Sequence, residues 1–323
     1  MTNQLMLSNV ADNLYWMSRY LERAEHTARL LIVNLNISLD MLPANAQLQW
    51  ARLFKALNVP VPEGDIDDFA AMEILTFDRE NSNSILSCIM SARENARQVR
   101  AQISSEMWEH LNEMFLNIKS TSLEKIWNAG PFTFLREIRN GSHMFEGITD
   151  STMNHGEGWH FIQVGRFIER ANGIANLLAV HSDVLEDQNA DLDNEQYLEL
   201  LAVLKSCTAF EAYCKIYTAA FKRERITELL LLNPEFPHSI RFAIDCVQSA
   251  LDNIAEATDK RKTIRTNRLV GRLKAELSFD MIDDVISYDL GNYLNGIRQK
   301  CAEIHSSVNE TYIAYPVQSA LVF

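Results

Sequence analysis

The sequence LYWMSRYLERAEHTARLLIVN at residues 14–34 returns in altered form as FIQVGRFIERANGIANLLAVH at residues 161–181. At an offset of 147 residues, eight of the 21 aligned positions are identical, whereas composition alone gives about one or two by chance. The identical pairs are Arg19/Arg166, Glu22/Glu169, Arg23/Arg170, Ala24/Ala171, Ala28/Ala175, Leu30/Leu177, Leu31/Leu178 and Val33/Val180. Because an internal repeat decides the architecture of a chain, we predict a fold built from two similar halves.

Both copies of this segment have the apolar pattern of a buried helix. Apolar residues recur at alternating spacings of three and four, which places them on one helix face. They are Leu14, Met17, Leu21, Ala24, Ala28 and Leu31 in the first copy and Phe161, Val164, Ile168, Ala171, Ala175 and Leu178 in the second. The flanking positions are mostly apolar too, which is typical of a central helix. The Arg-x-x-Glu-Arg motifs at 19–23 and 166–170 lie largely opposite this face, so their charges need partners.

The amino-acid composition narrows the class of protein. With 11 glycines and 7 prolines in 323 residues, the chain favours long helices and short connections. Its net charge of −13 argues against wholesale binding to nucleic acid or to an anionic membrane. The sequence has neither a Gly-rich phosphate loop nor a Gly-x-Ser-x-Gly nucleophile turn. We therefore expect no cofactor and no nucleic-acid partner.

The cysteines and the N-terminal segment bear on where the protein works. The five cysteines are scattered, without metal-binding or redox spacing, and are expected to be reduced. The first residues, MTNQLMLSNVADN, lack the basic start and apolar core of a signal peptide. No run approaches the ~18 apolar residues of a membrane span. A cytoplasmic protein that does not bind a membrane is therefore expected.

Two further segments repeat in the same order as the long helix. ILTFDRENSNSI at 74–85 aligns with LLLLNPEFPHSI at 229–240, and WARLFKAL at 50–57 aligns with LLAVLKSC at 200–207. We predict an all-α fold, a single helical-bundle unit of residues 1–323. Its half-repeats are residues 1–127 and 155–323, each of about five helices. A connector with glycines and histidines at 128–154 joins them and is expected to be the least helical part. Residues 85–118 are expected to form one long helical run.

The chain resembles the alpha-E proteins, an all-helical bacterial family with a Glu-Arg motif. The matching segments are LSNVADNLYWMSRYLERAEHTARLL, SARENAR, ISSEMWEHLN, GITDSTMNHGEGWHFIQVGRFIERA and LLLLNPEFPHSI. The resemblance implies partnership with a circularly permuted ATP-grasp enzyme of the amidoligase type, often accompanied by a transglutaminase-like peptidase. It identifies no catalytic residue.

Three interpretations of the paired motifs compete. The first is a structural ion network between the two central helices, formed by Arg19, Glu22, Arg23, Arg166, Glu169 and Arg170. Alternatively, four arginines against two glutamates could leave positive charge that holds an anionic group of a ligand or partner. A catalytic glutamate with a raised pKa is disfavoured, because two neighbouring cations would lower that pKa.

A second set of candidate site residues lies outside the motifs. It comprises Arg93 and Glu94 in SARENAR, and Asp150, His155, Glu157, Trp159 and His160 near the end of the connector. Among these, His155, Glu157 or His160 could transfer protons. Glu157-x-x-His160 is one half of a di-iron signature, which needs two such pairs. We therefore predict no metal site, and a ferritin-like metal oxidase is only a remote alternative.

Two functions of different classes follow. The favoured one is an accessory or scaffolding protein of an ATP-grasp amidoligase system that recognises an anionic group or partner through the Arg/Glu cluster. The alternative is an enzyme of the same pathway with its active site between the halves. Direct pairing of every motif charge favours the first, and a deep pocket lined by those charges favours the second.

Overall fold

The structure, a computed structural model, describes residues 6, 8–40, 42–187, 192–217, 220–257 and 260–313. This part of the chain is helical and contains no strand, as predicted. Its α-helices are α1 Ser8–Ile37, α2 Pro43–Ala56, α3 Asp68–Thr76, α4 Ile85–Gln98, α5 Ser105–Lys119, α6 Leu123–Ala129, α7 Pro131–Thr152, α8 Glu157–Val180, α9 Ser182–Glu186, α10 Asn194–Ser206, α11 Phe210–Tyr217, α12 Arg223–Leu232, α13 Ile240–Ala257, α14 Lys260–Phe279, α15 Ile282–Tyr288 and α16 Leu290–Val308. Residues 314–323, assigned from sequence to the second half, lie outside the described residues. No helix in the described ranges is both long and apolar enough to cross a membrane.

Helices α1 and α8 carry the two copies of the repeated segment and form the centre of the bundle. They pack directly against each other, and all twelve residues of the predicted apolar faces are buried. The two helices approach very closely at Gly165. A Cβ atom built on Gly165 would lie 2.2 Å from the carbonyl oxygen of Tyr15 and 2.3 Å from Oγ of Ser18. This glycine therefore sets how near the two central helices can lie.

The remaining helices surround this central pair. Helices α4 and α7 pack against α1, while α13 and α16 pack against α8. The shorter helix α10 also contacts α1, and α2 contacts α8. Each central helix is therefore covered by helices from both the N-terminal and the C-terminal parts of the chain.

The predicted connector is wrong in its secondary structure, because most of it forms the 22-residue helix α7. Leu135, Ile138, Ser142, Phe145 and Thr149 are buried along one face at helical spacing. Packing of this face offsets the low helix propensity of the two internal glycines. At Gly141 the absence of a side chain is also useful, because a Cβ atom there would lie 3.0 Å from Cε of Met114.

The long helical run predicted for residues 85–118 is also wrong, since it is two helices. Helix α4 ends at Gln98 and α5 begins at Ser105. The side chain of Ser104 accepts a hydrogen bond from the backbone N–H of Met107 at 3.1 Å. This N-cap satisfies a donor that a continuous helix would have paired internally. The chain turns between the two helices, so that α5 packs against both α4 and α7.

Candidate functional site

The two Arg-x-x-Glu-Arg motifs face each other across α1 and α8 and exchange their ion pairs. Glu169 on α8 accepts hydrogen bonds from Nε of Arg19 and Nε of Arg23 on α1, both at 2.7 Å. In the opposite direction, Glu22 on α1 accepts from Nε and Nη2 of Arg170, at 2.6 and 2.8 Å. Each carboxylate is therefore held by an arginine of the other helix, in the geometry that favours charge-assisted hydrogen bonds.

Two further residues, Glu146 and His305, complete this network, and neither was predicted from the sequence. Nε of Arg166 lies 3.8 Å from Oε2 of Glu22, whereas its Nη2 pairs more closely with Oε2 of Glu146 on α7, at 2.6 Å. Arg19 contacts Nδ1 of His305 on α16 at 3.0 Å. Because arginine can only donate, Nδ1 accepts this bond and His305 is neutral. Glu146 and His305 lie outside every aligned repeat segment, so no pattern pointed to them.

The Nη1 atoms of the other two arginines, Arg23 and Arg170, also donate hydrogen bonds. Nη1 of Arg23 donates to Oδ1 of Asn83 at 2.7 Å, and Nη1 of Arg170 donates to the carbonyl oxygen of Pro237 at 3.5 Å. Both acceptors lie in the turns that precede α4 and α13. The network therefore connects the central helices to the loops around them as well as to each other.

The predicted surplus of positive charge is smaller than the motifs alone indicate. Glu146 adds a third carboxylate, so the four arginines face three glutamates within the network. Burial alone would raise the pKa of Glu169, but Arg19 and Arg23 outweigh it and lower that pKa to about 2. Burial is likewise outweighed at Glu22, whose pKa is lowered mainly by Arg170. Both motif glutamates are therefore charged near neutral pH and unsuited to proton transfer.

Glu146 differs from the motif glutamates. Its pKa is raised, because burial disfavours the carboxylate more than Arg166 stabilises it, and because the negative charge of Glu22 is close. It lines a cavity of about 350 Å³ between α1, α7 and α8. The cavity is also lined by Glu22, His143, Asp150, Gln163 and Arg166, among others. A glutamate of this kind could exchange a proton with a bound molecule.

A smaller cavity of about 90 Å³ lies beside the ion network itself. Its lining includes Glu22, Arg23, His26, Asn83, Glu169, Arg170, Asn176 and His238. Oδ1 of Asn176 and Nε2 of His26 are buried there without a hydrogen-bond partner. This space suits a few water molecules rather than a substrate, because pockets for small molecules are typically about 300–1,000 Å³.

The second set of predicted site residues does not gather at the ion network. His155 stacks on Trp159 with ring centroids 4.2 Å apart, and its Nε2 lies 3.4 Å from Oδ1 of Asp150. Glu157 accepts a hydrogen bond from the backbone N–H of Met6 at 3.3 Å. His160 lies edge-on to Trp159. Of these five residues, only Asp150 lines one of the two cavities described above.

The two residues from SARENAR lie on the outer side of the bundle. Arg93 donates to Oδ1 of Asn112 at 2.8 Å, and its guanidinium lies over the rings of Trp108 and Phe115. Glu94 is exposed and pairs with Arg97 one turn along α4, at 2.6 Å. Arg93 therefore joins α4 to α5, and neither residue contributes to the central network.

The described residues contain no set of ligands for a metal ion. In that part of the chain, no group of three or more His, Cys, Asp or Glu side chains is arranged to hold an ion. Glu157 and His160 are close in sequence, but no second pair joins them there. The arrangement thus gives no support to the remote di-iron alternative.

We expect the stability of the fold to fall as the pH is lowered from about 6.5 to about 4. Burial and then the charge of Arg19 lower the pKa of His305 from 6.5 to about 4, and burial lowers that of His181 from 6.5 to about 4. Within this window the unfolded chain binds more protons than the folded one, so lowering the pH favours unfolding. Denaturant titrations at several pH values measure the effect. A shallower pH dependence is expected for His305→Gln, and a flat profile in the parent between pH 6.5 and 4 would contradict the prediction.

Comparison with known proteins identifies three curated relatives and one family. Uncharacterized protein Mb2597 of Mycobacterium bovis is 24% identical over 332 residues, covering 95% of this chain and 37% of the relative. Uncharacterized proteins MT2643 and Rv2567 of two Mycobacterium tuberculosis strains are 24% and 23% identical over the same shares. The chain therefore spans little more than a third of the length of these curated relatives. No solved structure matches it. The family model Alpha-E matches residues 6–313 and is described as a predicted alpha-helical domain with a conserved ER motif. Because the match covers nearly the whole chain, this protein belongs to the Alpha-E family.

Proposed function

We propose that this protein is an accessory or scaffolding component of an amide-forming ligase system, without a complete active site of its own. The observation that carries the proposal is the direct pairing of all six motif charges. Each of the four arginines and both glutamates has an oppositely charged partner within 2.7 Å. Charges engaged in this way hold helices together, and binding a substrate through them would first require an ion pair to break.

The partners that we propose are a circularly permuted ATP-grasp enzyme and a transglutaminase-like peptidase. The resemblance of the sequence motifs to alpha-E proteins is the basis for naming them. The length of the curated relatives supports a cooperative role, because 63% of Mb2597 lies outside the share that the match covers. In such relatives the region similar to this chain shares a polypeptide with other sequence. We further propose that the complex forms in the cytoplasm.

We also propose that residues 1–127 and 155–323 are repeats related by an approximate twofold axis. Matching turns support this. Asn58 and Thr208, which are 150 residues apart, have the positive φ values 53° and 50° just after α2 and α10. Ser84 and Ser239, which are 155 residues apart, each accept a hydrogen bond from the backbone N–H three residues later. The reciprocal ion pairs of α1 and α8 agree with the same symmetry.

The second candidate is an enzyme of the same pathway, and one observation favours it. The cavity of about 350 Å³ is large enough for a small substrate. It holds Glu146, whose raised pKa suits proton transfer, beside the cation Arg166. His143 and Asp150, both exposed, lie at the same cavity, and Nε2 of His143 also lies 3.3 Å from Oε1 of the buried Glu25. In this role Glu146 and His143 would take the place of the predicted His155, Glu157 and His160.

Affinity capture tests which role applies. The tagged chain is expected to retain an ATP-grasp protein from native extract at about 0.1 M salt, and to lose it as salt rises, because surface electrostatics are screened. An untagged extract serves as the control. Retention of no ATP-grasp protein would contradict the accessory role. Turnover of small amide substrates by the chain alone, lost in Asp150→Asn and His143→Gln, would establish the enzyme instead.

A further inference from the structure

A third cavity lies further along α1 than the sites considered so far, toward the C-terminal end of that helix. It has a volume of about 450 Å³ and is formed by the C-terminal part of α1, by α7 and by α10. Its lining residues are Arg29, Ile32, Val33, Asn36, Ile37, Arg139, Leu198, Leu201, Lys205 and Thr208. None of them belongs to the Arg-x-x-Glu-Arg motifs or was singled out from the sequence as a site residue.

The charge of this cavity is unlike that of the protein as a whole. Arg29, Arg139 and Lys205 contribute three cations, and no carboxylate occurs among the described residues that line it. The chain as a whole has 43 acidic and 30 basic residues. A concave site with one sign of charge concentrates ligands of the opposite sign. The lining therefore favours an anion in a protein whose net charge repels anions elsewhere.

Arg29 is the residue that marks the cavity as a binding site rather than a gap. The residue is 3% exposed, and although Nη2 pairs with Glu25 and lies 3.4 Å from Nε2 of His143, Nε has no hydrogen-bond partner. A buried donor without a partner is costly unless a ligand or a water molecule satisfies it. Burial, with a smaller contribution from Arg139, lowers the pKa of Arg29 to about 10. Arg29 is still a cation near neutral pH, and its ion pair with Glu25 leaves Nε without a partner.

The walls of the cavity are apolar. Ile32, Val33 and Ile37 line one side from α1, and Leu198 and Leu201 line the other from α10. Inorganic phosphate or chloride would leave these surfaces in contact with water. A molecule with a charged head and a hydrocarbon part could satisfy the cations and bury the apolar walls together.

We propose that this cavity binds a small amphipathic anion, with its acidic head at Arg29, Arg139 and Lys205 and its apolar part between α1 and α10. A carboxylate and a phosphate monoester share this chemistry, and a planar carboxylate matches the guanidinium of Arg29. The inference does not rest on the accessory role proposed above, because none of the residues that line this cavity belongs to the motif network. Such a ligand would bridge α1, α7 and α10 and stabilise their packing.

Calorimetry with sodium octanoate tests the proposal, with 1-octanol and inorganic phosphate as the neutral and the purely ionic probes. At about 20 mM salt, octanoate is expected to bind in the low-millimolar range or tighter, given about ten non-hydrogen atoms. Octanol and phosphate should each bind at least about 5-fold more weakly, since each satisfies only half of the site. The octanoate affinity should decrease at about 0.5 M salt.

Lys205, which is exposed, and Arg139, which is partly exposed, allow the site to be mapped without changing a buried residue. Lys205→Gln and Arg139→Gln should each weaken octanoate binding about 3-fold, and the double variant about 10-fold. Lys55→Gln and Arg136→Gln are matched controls, because they remove exposed cations from α2 and α7 that do not line the cavity. Both controls should bind octanoate as the parent does.

Three outcomes would overturn the proposal. The first is the absence of octanoate binding at concentrations of about 10 mM, well above the expected range. The second is equal affinity for octanol and octanoate, which would leave the cations without a role. The third is an equal loss of affinity in the control variants, which would mean that the overall charge of the protein governs binding. Phosphate binding tighter than octanoate binding would also contradict the apolar part of the assignment.

Discussion

Replacement of Glu169 by Ala is expected to lower the free energy of unfolding by about 3–5 kcal/mol, the cost of breaking a buried ion pair by removing one partner. Glu169 holds both Arg19 and Arg23, whose side chains are 11% and 22% exposed. Their other contacts are mainly with neutral groups, such as His305 and Asn83. Without Glu169, two largely buried cations would lie close together with no carboxylate between them. Denaturant unfolding followed by circular dichroism measures the loss.

The corresponding change Glu22→Ala is expected to cost less than Glu169→Ala. Arg166 and Arg170 would still have Glu146, at 2.6 and 3.7 Å. Glu94→Ala is the matched control, because Glu94 is exposed and pairs with Arg97 on the same helix, so its loss should cost less than about 1 kcal/mol. Equal stability of Glu169→Ala and Glu94→Ala would mean that the network does not hold the central helices together.

The second large effect is expected at Gly165, where α1 and α8 approach very closely. In Gly165→Ala the new methyl group would lie 2.2 Å from a backbone oxygen of α1 and 2.3 Å from Oγ of Ser18. A backbone atom in a packed helix cannot rotate aside as a side chain can, so the helices must separate. This should cost about 3 kcal/mol or more, at the upper end of the range for overpacking. Thermal and denaturant unfolding both report it.

Gly147→Ala provides a direct comparison. Gly147 also lies inside a helix, but a Cβ atom there would meet nothing within 4 Å. Alanine in an exposed helix interior is favoured over glycine by about 0.5–1 kcal/mol, so this variant should be as stable as the parent or slightly more so. The close approach of the helices would be refuted by a Gly165→Ala variant that behaves like Gly147→Ala.

The centre of the fold was predictable because two kinds of information coincide there. The apolar periodicity of residues 14–34 and 161–181 indicated two buried helices, and the repeated Arg-x-x-Glu-Arg motif indicated that their charges need partners. The helices do lie together, with Arg19 and Arg23 on Glu169 and Arg170 on Glu22. Two apolar helices with complementary charges have few other ways to bury their apolar faces and pair their charges at the same time.

The outer part of the site was not predictable, because its residues come from helices without a repeat signal. Glu146 follows the buried Phe145 on α7. The glycines of this segment favoured a loop prediction instead of a helix. His305 is a single histidine near the end of α16, and only the fold brings it to Arg19. Arg29 was not predicted for a different reason. Its counterpart in the second copy is Asn176, so it is not one of the residues that the two copies share.

The most direct test of the accessory role is the activity of the captured ATP-grasp enzyme with and without this chain. We predict that the chain alone neither binds Mg-ATP in calorimetry nor hydrolyses it, because it lacks a phosphate-binding loop. Added to the ligase, it should change the rate of ATP turnover or the distribution of amide products. Hydrolysis of ATP by the chain alone, or a ligase whose rate and products are the same in its presence and absence, would contradict the account.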